Sequence, residues 1–385
     1  MNKLPRPKAK AKEPSTDNPQ DPHRKQRVLH TWKELQEQGV VIEKAINQER
    51  EHLQEIVTDL EKRKINRIII TGCGDSWITG MGVRSTFERL LKIPTEALQA
   101  FDLGHYFYDA VDEHTLVIGI SSSGSTRSVL DAMDRAKEKG AYSIGMSNTA
   151  NSPIMANYSN HILVRATRLG WPTQASTAAM AILIQFAILL SQDWNATESS
   201  VTEKLDSDLA ALPVLIDEVI KQSKTVMHNL AKKWVKAHYI LFCGAGSNIA
   251  PAAFGCAKVK ELSPVHAMLI PLEEFHHYRT IKPGDPLILV APDAAGHKRT
   301  VETAEIARYD GGEVFALTWQ GEQEVTRFAH GSLGLPEVNE CLKPILYTIP
   351  LQVFAFYFAM EKFEQNLGLA HAMPKNAAQA LNGNG

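Results

Sequence analysis

The chain has 385 residues, 44% hydrophobic and 22% charged, which leaves room for two or three domains and excludes collagen-like, disulfide-scaffold and wholly disordered classes. With 41 basic and 43 acidic side chains the net charge is −2, so no global field draws the chain to nucleic acid or anionic lipid, and any anion is caught locally. Four cysteines without a CxxC pair argue against a disulfide framework or a structural zinc site and suit a reducing, cytoplasmic compartment.

Residues 1–27 carry five prolines, eight basic against three acidic side chains and almost nothing large and apolar, which reads as a disordered, solvated tail. It has no apolar core of the kind a secretory signal needs. Residues 28–64 read as a helical lead-in, with Leu53, Ile56, Val57 and Leu60 on one face. Elements from 65 to 195 then recur in order from 235 to 365, on either side of a helical linker at 196–234 with an apolar stripe of Leu205, Leu209, Leu212, Leu215, Ile216 and Val219. Strand Ile68–Thr71 runs into the turn GCGDS at 72–76, and 171 residues later strand Tyr239–Cys243 runs into GAGS at 244–247. Leu116–Ile120 corresponds in the same way to Leu287–Val290, and Tyr142–Met146 to Val314–Thr318. Apolar helices 175–191 and 342–362 close the two halves. Their most apolar stretches, Ala178–Leu190 and Ile345–Met360, fall short of the ~20 residues a membrane span needs and read as buried core helices. Apolar strands alternating with helices predict an α/β fold, with a parallel sheet covered by helices on both faces in each half.

Ligands of such sheets bind beyond the carboxyl ends of the strands, where helix N-termini present backbone amides. Ser121-Ser122-Ser123-Gly124-Ser125-Thr126 joins a buried strand to the helical pattern of Val129, Met133 and Ala136, so five hydroxyls and the amides of a helix start converge there. Neutral donors at a positive helix end suit a phosphate-like dianion. Neither a Walker loop nor a dinucleotide fingerprint fits, since Gly72-x-Gly74 is followed by Trp77 where the third glycine belongs. Ser76 and the cluster Thr173-Gln174-Ala175-Ser176-Thr177 open two further helices and are candidate contacts to the same ligand. In the second half Lys258 and Glu261 share a helix face at i, i+3 in the segment Lys258–His266, among small apolar neighbours that make a carboxylate costly unless paired or used. Glu273-Glu274-Phe275-His276-His277 lacks any further Cys/His cluster at ligand spacing, and no metal is expected.

At GCGDS, SSSGST, QAST at 174–177 and the run from Lys258 to His277, the sequence resembles the tandem sugar-isomerase (SIS) family, which includes the isomerase half of glucosamine-6-phosphate synthase and related sugar-phosphate deglycases and deaminases. The resemblance covers about residues 30–380. It implies two flavodoxin-like three-layer α/β/α sandwiches and no cofactor. Ser76, Ser121, Ser122, Ser123 and Thr126 would hold an anion at carbon 6 of an open-chain sugar, with Gln174 and Ser176 nearby. Glu261 would be the acid/base carboxylate between carbons 1 and 2, and Lys258 would lie near the sugar hydroxyls. His277 would open the ring or assist proton transfer, and would come from the neighbouring subunit of a homodimer. The tail 366–385 would close over the site. Gln379 stands where aminating members end in a Schiff-base lysine, and Lys375 replaces it only if the tail shifts register. With no glutamine-hydrolysing domain ahead and no N-terminal cysteine, glutamine-dependent amination is not expected. The leading expectation is an aldose–ketose isomerase for a sugar with a carbon-6 anion, phosphate first and sulfonate open. The alternatives are a deglycase or deaminase releasing an amine from a 6-phosphorylated amino sugar or fructosamine, and a non-catalytic sugar-phosphate sensor. Trp77, Trp171 and His105 are expected to shape a pocket unlike the synthase pattern.

Overall fold

Three consecutive isoleucines, Ile68, Ile69 and Ile70, are fully buried because a strand sends alternate side chains to opposite faces and both faces here are covered. Ile68 and Ile70 join the large core shared by both halves, whereas Ile69 joins Val117, Val129 and Met133 on the other face. The computed structural model describes residues 21–263, 265–278, 281–291 and 295–367. Strands β1 (Arg67–Gly72), β2 (Thr95–Gln99), β3 (Thr115–Ile120), β4 (Tyr142–Ser147) and β5 (His161–Leu163) form a parallel sheet in the order β2-β1-β3-β4-β5. Strands β6 (Tyr239–Gly244), β7 (His266–Pro271), β8 (Pro286–Val290), β9 (Glu313–Trp319) and β10 (Gly331–Leu335) repeat that order as β7-β6-β8-β9-β10, again all parallel. The α/β duplication expected from the sequence is therefore present strand for strand.

The principal helices are α1 (Pro22–Gln36), α2 (Gln38–Leu60), α3 (Asp75–Leu91), α4 (Arg127–Glu138), α5 (Gln174–Asp193), α6 (Ser199–Trp234), α7 (Ile249–Leu262), α8 (Leu272–Tyr278), α9 (His297–Tyr309) and α10 (Lys343–Glu364). Helix α5 has 20 residues, long and apolar enough to cross a membrane by length and composition, but its apolar window is entirely buried in the protein. It is a core helix, apolar all round because it has no solvent face. Helix α6 is more than a linker. It packs on α10 and α2, burying Leu205, Leu209, Leu212, Ile216 and Val219 and half-burying Leu215, and Arg50 of α2 grips its Asp206 at 2.9 and 2.8 Å.

Two boundaries differ from expectation. Helix α7 stops at Leu262 instead of running to His266, because Ser263 precedes a proline and leaves the helical region at φ −132°, ψ 56°; His266 then opens β7. At the N-terminus, helix begins at Pro22, within the stretch read as a solvated tail. Asp21 caps it by accepting from the His23 amide at 2.9 Å, and proline occupies the first helical position, where no amide is needed. Its charged residues bind distant backbone: the Arg24 guanidinium donates to the Glu261 carbonyl at 2.8 Å, which a local reading of composition does not reveal.

Helix α1 also fixes the segment 167–171. Buried Glu34 accepts from the Leu169 amide at 2.6 Å, the Gly170 amide at 3.0 Å and the Thr167 hydroxyl at 3.0 Å, while Thr31 Oγ1 accepts from the Trp171 amide at 2.8 Å. Glu34→Ala strands these donors and is expected to lower unfolding free energy by about 3 kcal/mol, read as a lower urea midpoint at unchanged slope.

Candidate functional site

Strands β1 and β3 are neighbours, and Gly72 pairs with Ile120 at their carboxyl ends, so the loops that follow them emerge side by side where the strand order reverses. In the loop after β3, Gly124 has φ +64°, and a Cβ there would sit 2.0 Å from Ser152 Oγ; the turn requires glycine. The Ser121 and Thr126 hydroxyls bond to each other at 2.9 Å where α4 begins, and Ser123 Oγ accepts from the Ser125 amide at 3.3 Å. The Ser122 carbonyl is engaged by the Asn148 amide at 3.2 Å, but its own hydroxyl is buried without a partner.

Ser122 lines a cleft of about 350 Å³, partly open to solvent, together with Asp75, Ser76, Ser147, Asn148 and Ser176 on the polar side and Ile120, Met146, Val164 and Pro172 on the apolar side. Of the expected anion contacts, Ser76, Ser122 and Ser176 thus line the cleft directly. Ser121 and Thr126 brace the loop beside it, and Ser123 caps within the loop. Gln174 is turned away: its side chain is buried, and Nε2 donates to the Thr167 hydroxyl at 2.6 Å.

Lys258 is wholly buried behind Asp75, which lines this cleft. Its ammonium donates to Asp75 Oδ2 at 2.6 Å and to Glu261, so the i, i+3 pair of the sequence is a buried ion cluster with a third member from the first half of the chain. Burial works against the charge on Lys258, but the two carboxylates outweigh it and raise the pKa above the ordinary lysine value. For Glu261 burial dominates and raises the carboxyl to about 7; Asp75 pushes in the same direction, whereas Lys258 and Arg27 pull it down. A carboxyl near neutrality, held by a fixed ammonium, can accept and return a proton at physiological pH.

His277 sits on α8 with its side chain 64% exposed, Nε2 lying 3.7 Å from Glu273, and its described contacts do not include Glu261. Its neighbour His276 bonds to Thr303 at 2.8 Å, and Glu273 is held by Arg299 at 2.8 and 2.7 Å. Gln379, Lys375 and the tail 368–385 lie outside the described residues. The aromatic residues expected in the pocket, Trp77, His105 and Trp171, are not among the residues that line this cleft. Trp77 Nε1 donates to the Ala97 carbonyl at 3.0 Å, His105 packs edge-on against Phe101, and buried Trp171 lies under the Arg27 and Arg24 guanidinium groups at 4.3 and 5.5 Å.

Sequence reasoning passed over Asp75, Asn148, Arg24 and Arg27. Asp75 was in view inside GCGDS, but only folding shows that its partner lies 183 residues away. The duplicate turn GAGS forms no second cradle: Ser247 bonds to Ser85 of α3, so that loop is part of the contact between the halves.

A family model described as "SIS domain" matches residues 61–189 and 234–362, which are the two sheets with their helices. Glutamine–fructose-6-phosphate aminotransferase (isomerizing) of Thermus thermophilus is 29% identical over 356 residues, covering 91% of this chain, which spans 58% of that relative's length. Among solved structures, the C-terminal domain of glucosamine-fructose-6-phosphate aminotransferase from Francisella tularensis superposes with a TM-score of 0.77 at 22% identity, covering 86% of this chain and 95% of that one. Glucosamine-6-phosphate deaminase from Thermotoga maritima superposes at 0.68 with 18% identity, covering 88% and 95%. With both sheets matched and the strand order repeated, the chain belongs to the SIS domain family and carries two copies of the domain.

Proposed function

We propose that the protein is an aldose–ketose isomerase acting on a sugar with an anion at carbon 6, phosphate before sulfonate. The observation that carries this reading is the Glu261 carboxyl, raised to about 7 and fixed on a buried lysine whose other carboxylate partner, Asp75, lines a cleft that also holds the unpartnered Ser122 hydroxyl. The anion sits against Ser122 and the amides that open α4, where the helix end favours negative charge. That anchor lies away from the reacting carbons and orients them. Glu261 then takes the proton from carbon 2 of the open-chain aldose and delivers it to carbon 1, while Lys258 lies beside the sugar oxygens. His277 from the neighbouring subunit moves the hydroxyl proton, which makes the working unit a homodimer. Four cysteines free of disulfides accord with a reducing, cytoplasmic setting. A pure sensor has no need of a carboxyl tuned to neutrality. Amine release from a 6-phosphorylated amino sugar or fructosamine would use the same groups, and a panel of aldose, ketose and amine-bearing 6-phosphates and 6-sulfonates followed by NMR separates the two reactions.

Glu261→Gln keeps size and hydrogen bonding but removes the base, so turnover on the sugar that reacts is expected to fall ~10²–10⁴-fold with little change in affinity. Deuterium from heavy water should appear at carbon 1 or 2 of the product; retention of more than about a third of turnover in the variant excludes Glu261 as the base. Because the base form is the active form, kcat/KM of the wild type should rise with pH to a plateau above about 7 and fall tenfold per unit below it.

Ser122→Ala removes a hydroxyl with no partner in the protein, so thermal stability should hold or rise while affinity for the anionic sugar drops by about 1.5–3 kcal/mol in titration calorimetry. Subunits carrying Glu261→Gln mixed with subunits carrying His277→Ala should recover roughly a quarter of wild-type activity, the share expected when half of the dimers are mixed and each holds one intact site. Mixed dimers without recovery would place both residues in one subunit's site.

A further inference from the structure

Lys258 bonds to Glu261 with its own side chain only 1% exposed, so water shares little of its charge. A lone carboxylate beside such an ammonium would match it charge for charge and have little tendency to take up a proton. Two carboxylates meet it here. Asp75 comes from α3 in the first half of the chain and Glu261 from α7 in the second, and their oxygens sit on the same nitrogen. One negative charge is left in excess, and the bonding decides which group can part with it. Asp75 Oδ2 accepts from Lys258 at 2.6 Å and from Ser176 Oγ at 3.4 Å, and its side chain is 14% exposed. The Glu261 carboxylate accepts from Lys258 and is more exposed, at 32%. Charged groups of α1 also face the cluster: Arg27 draws the Glu261 carboxyl toward its ionised form, and Arg24 donates to the Glu261 backbone carbonyl.

We propose that Asp75 is a positioning residue that shares the buried Lys258 ammonium with Glu261, so that Lys258 fixes the Glu261 carboxyl in place without neutralising it. The role assigned to Glu261 rests on the isomerase reading above, whereas the sharing itself does not. Asp75 acts by holding half of the lysine. Replacing it by a neutral residue hands the whole ammonium to Glu261, which then stays ionised and becomes a weaker base.

The test needs no substrate. Full-length protein with ¹³C-labelled glutamate carboxyls is titrated by NMR, with the Glu261 signal assigned by its loss in Glu261→Gln. The wild-type midpoint is expected near 7, and in Asp75→Asn it should fall by about one pH unit or more, with Asp75→Glu restoring it. Asp75→Ser gives the same readout if asparagine disturbs the packing. A purely structural Asp75 would lower the unfolding midpoint and leave the Glu261 titration unmoved in both neutral variants, and that result overturns the proposal. Isomerisation of no 6-anionic sugar, with the titration shifting as expected, would remove the isomerase reading and leave the role of Asp75 intact.

Discussion

An ammonium group shut off from water must be balanced, and in this protein that requirement joins the two halves of the chain. Leaving a charge unpaired in the interior costs several kcal/mol even after relaxation, so Lys258 is tolerable only where acidic groups meet it. One partner is on its own helix and the other is Asp75 at the start of α3. The helices that carry them, α3 and α7, pack against each other, and the small residues Gly82 of α3 and Ala250 of α7 meet there and permit close approach. The same cluster therefore helps set the distance between the sheets and the charge of the cleft.

The duplication has been used asymmetrically. Both sheets share one strand order, yet only the first keeps a serine-rich turn at its reversal point. The corresponding turn of the second half lies against Ser85, and that half contributes Lys258 and Glu261 from its first crossover helix. The serine-rich loop and the buried lysine–glutamate pair thus come from separate copies of one fold, which lets each change without disturbing the other's local geometry.

How much of this was legible follows from where each residue finds its partner. Strands β1, β3, β4, β6, β8 and β9 announce themselves as apolar runs because both of their faces are covered. The flanking strands β2, β5, β7 and β10 do not. Thr95–Gln99 is mostly half-buried, His266–Pro271 exposes alternate residues, and His161–Leu163 is too short to show a pattern. The serine loop was readable because its function is local, a turn between a strand and a helix. Asp75, Arg24 and Glu34 were not, since each acts on a group more than a hundred residues away.

Helix α1 carries a consequence for biosynthesis. It is made before its partners: the 167–171 segment, the Glu261 and Leu262 carbonyls, and α10, where Trp32 stacks on Phe356 at 4.3 Å. Until α10 has left the ribosome, Trp32 lacks the ring it stacks on and α1 lacks the helix it packs on most extensively. The helix that holds the 167–171 segment is therefore translated before the helix it docks on. A nascent chain carries a complete first sheet well before it carries a working site, and interception of that waiting helix is where its folding is most exposed to failure.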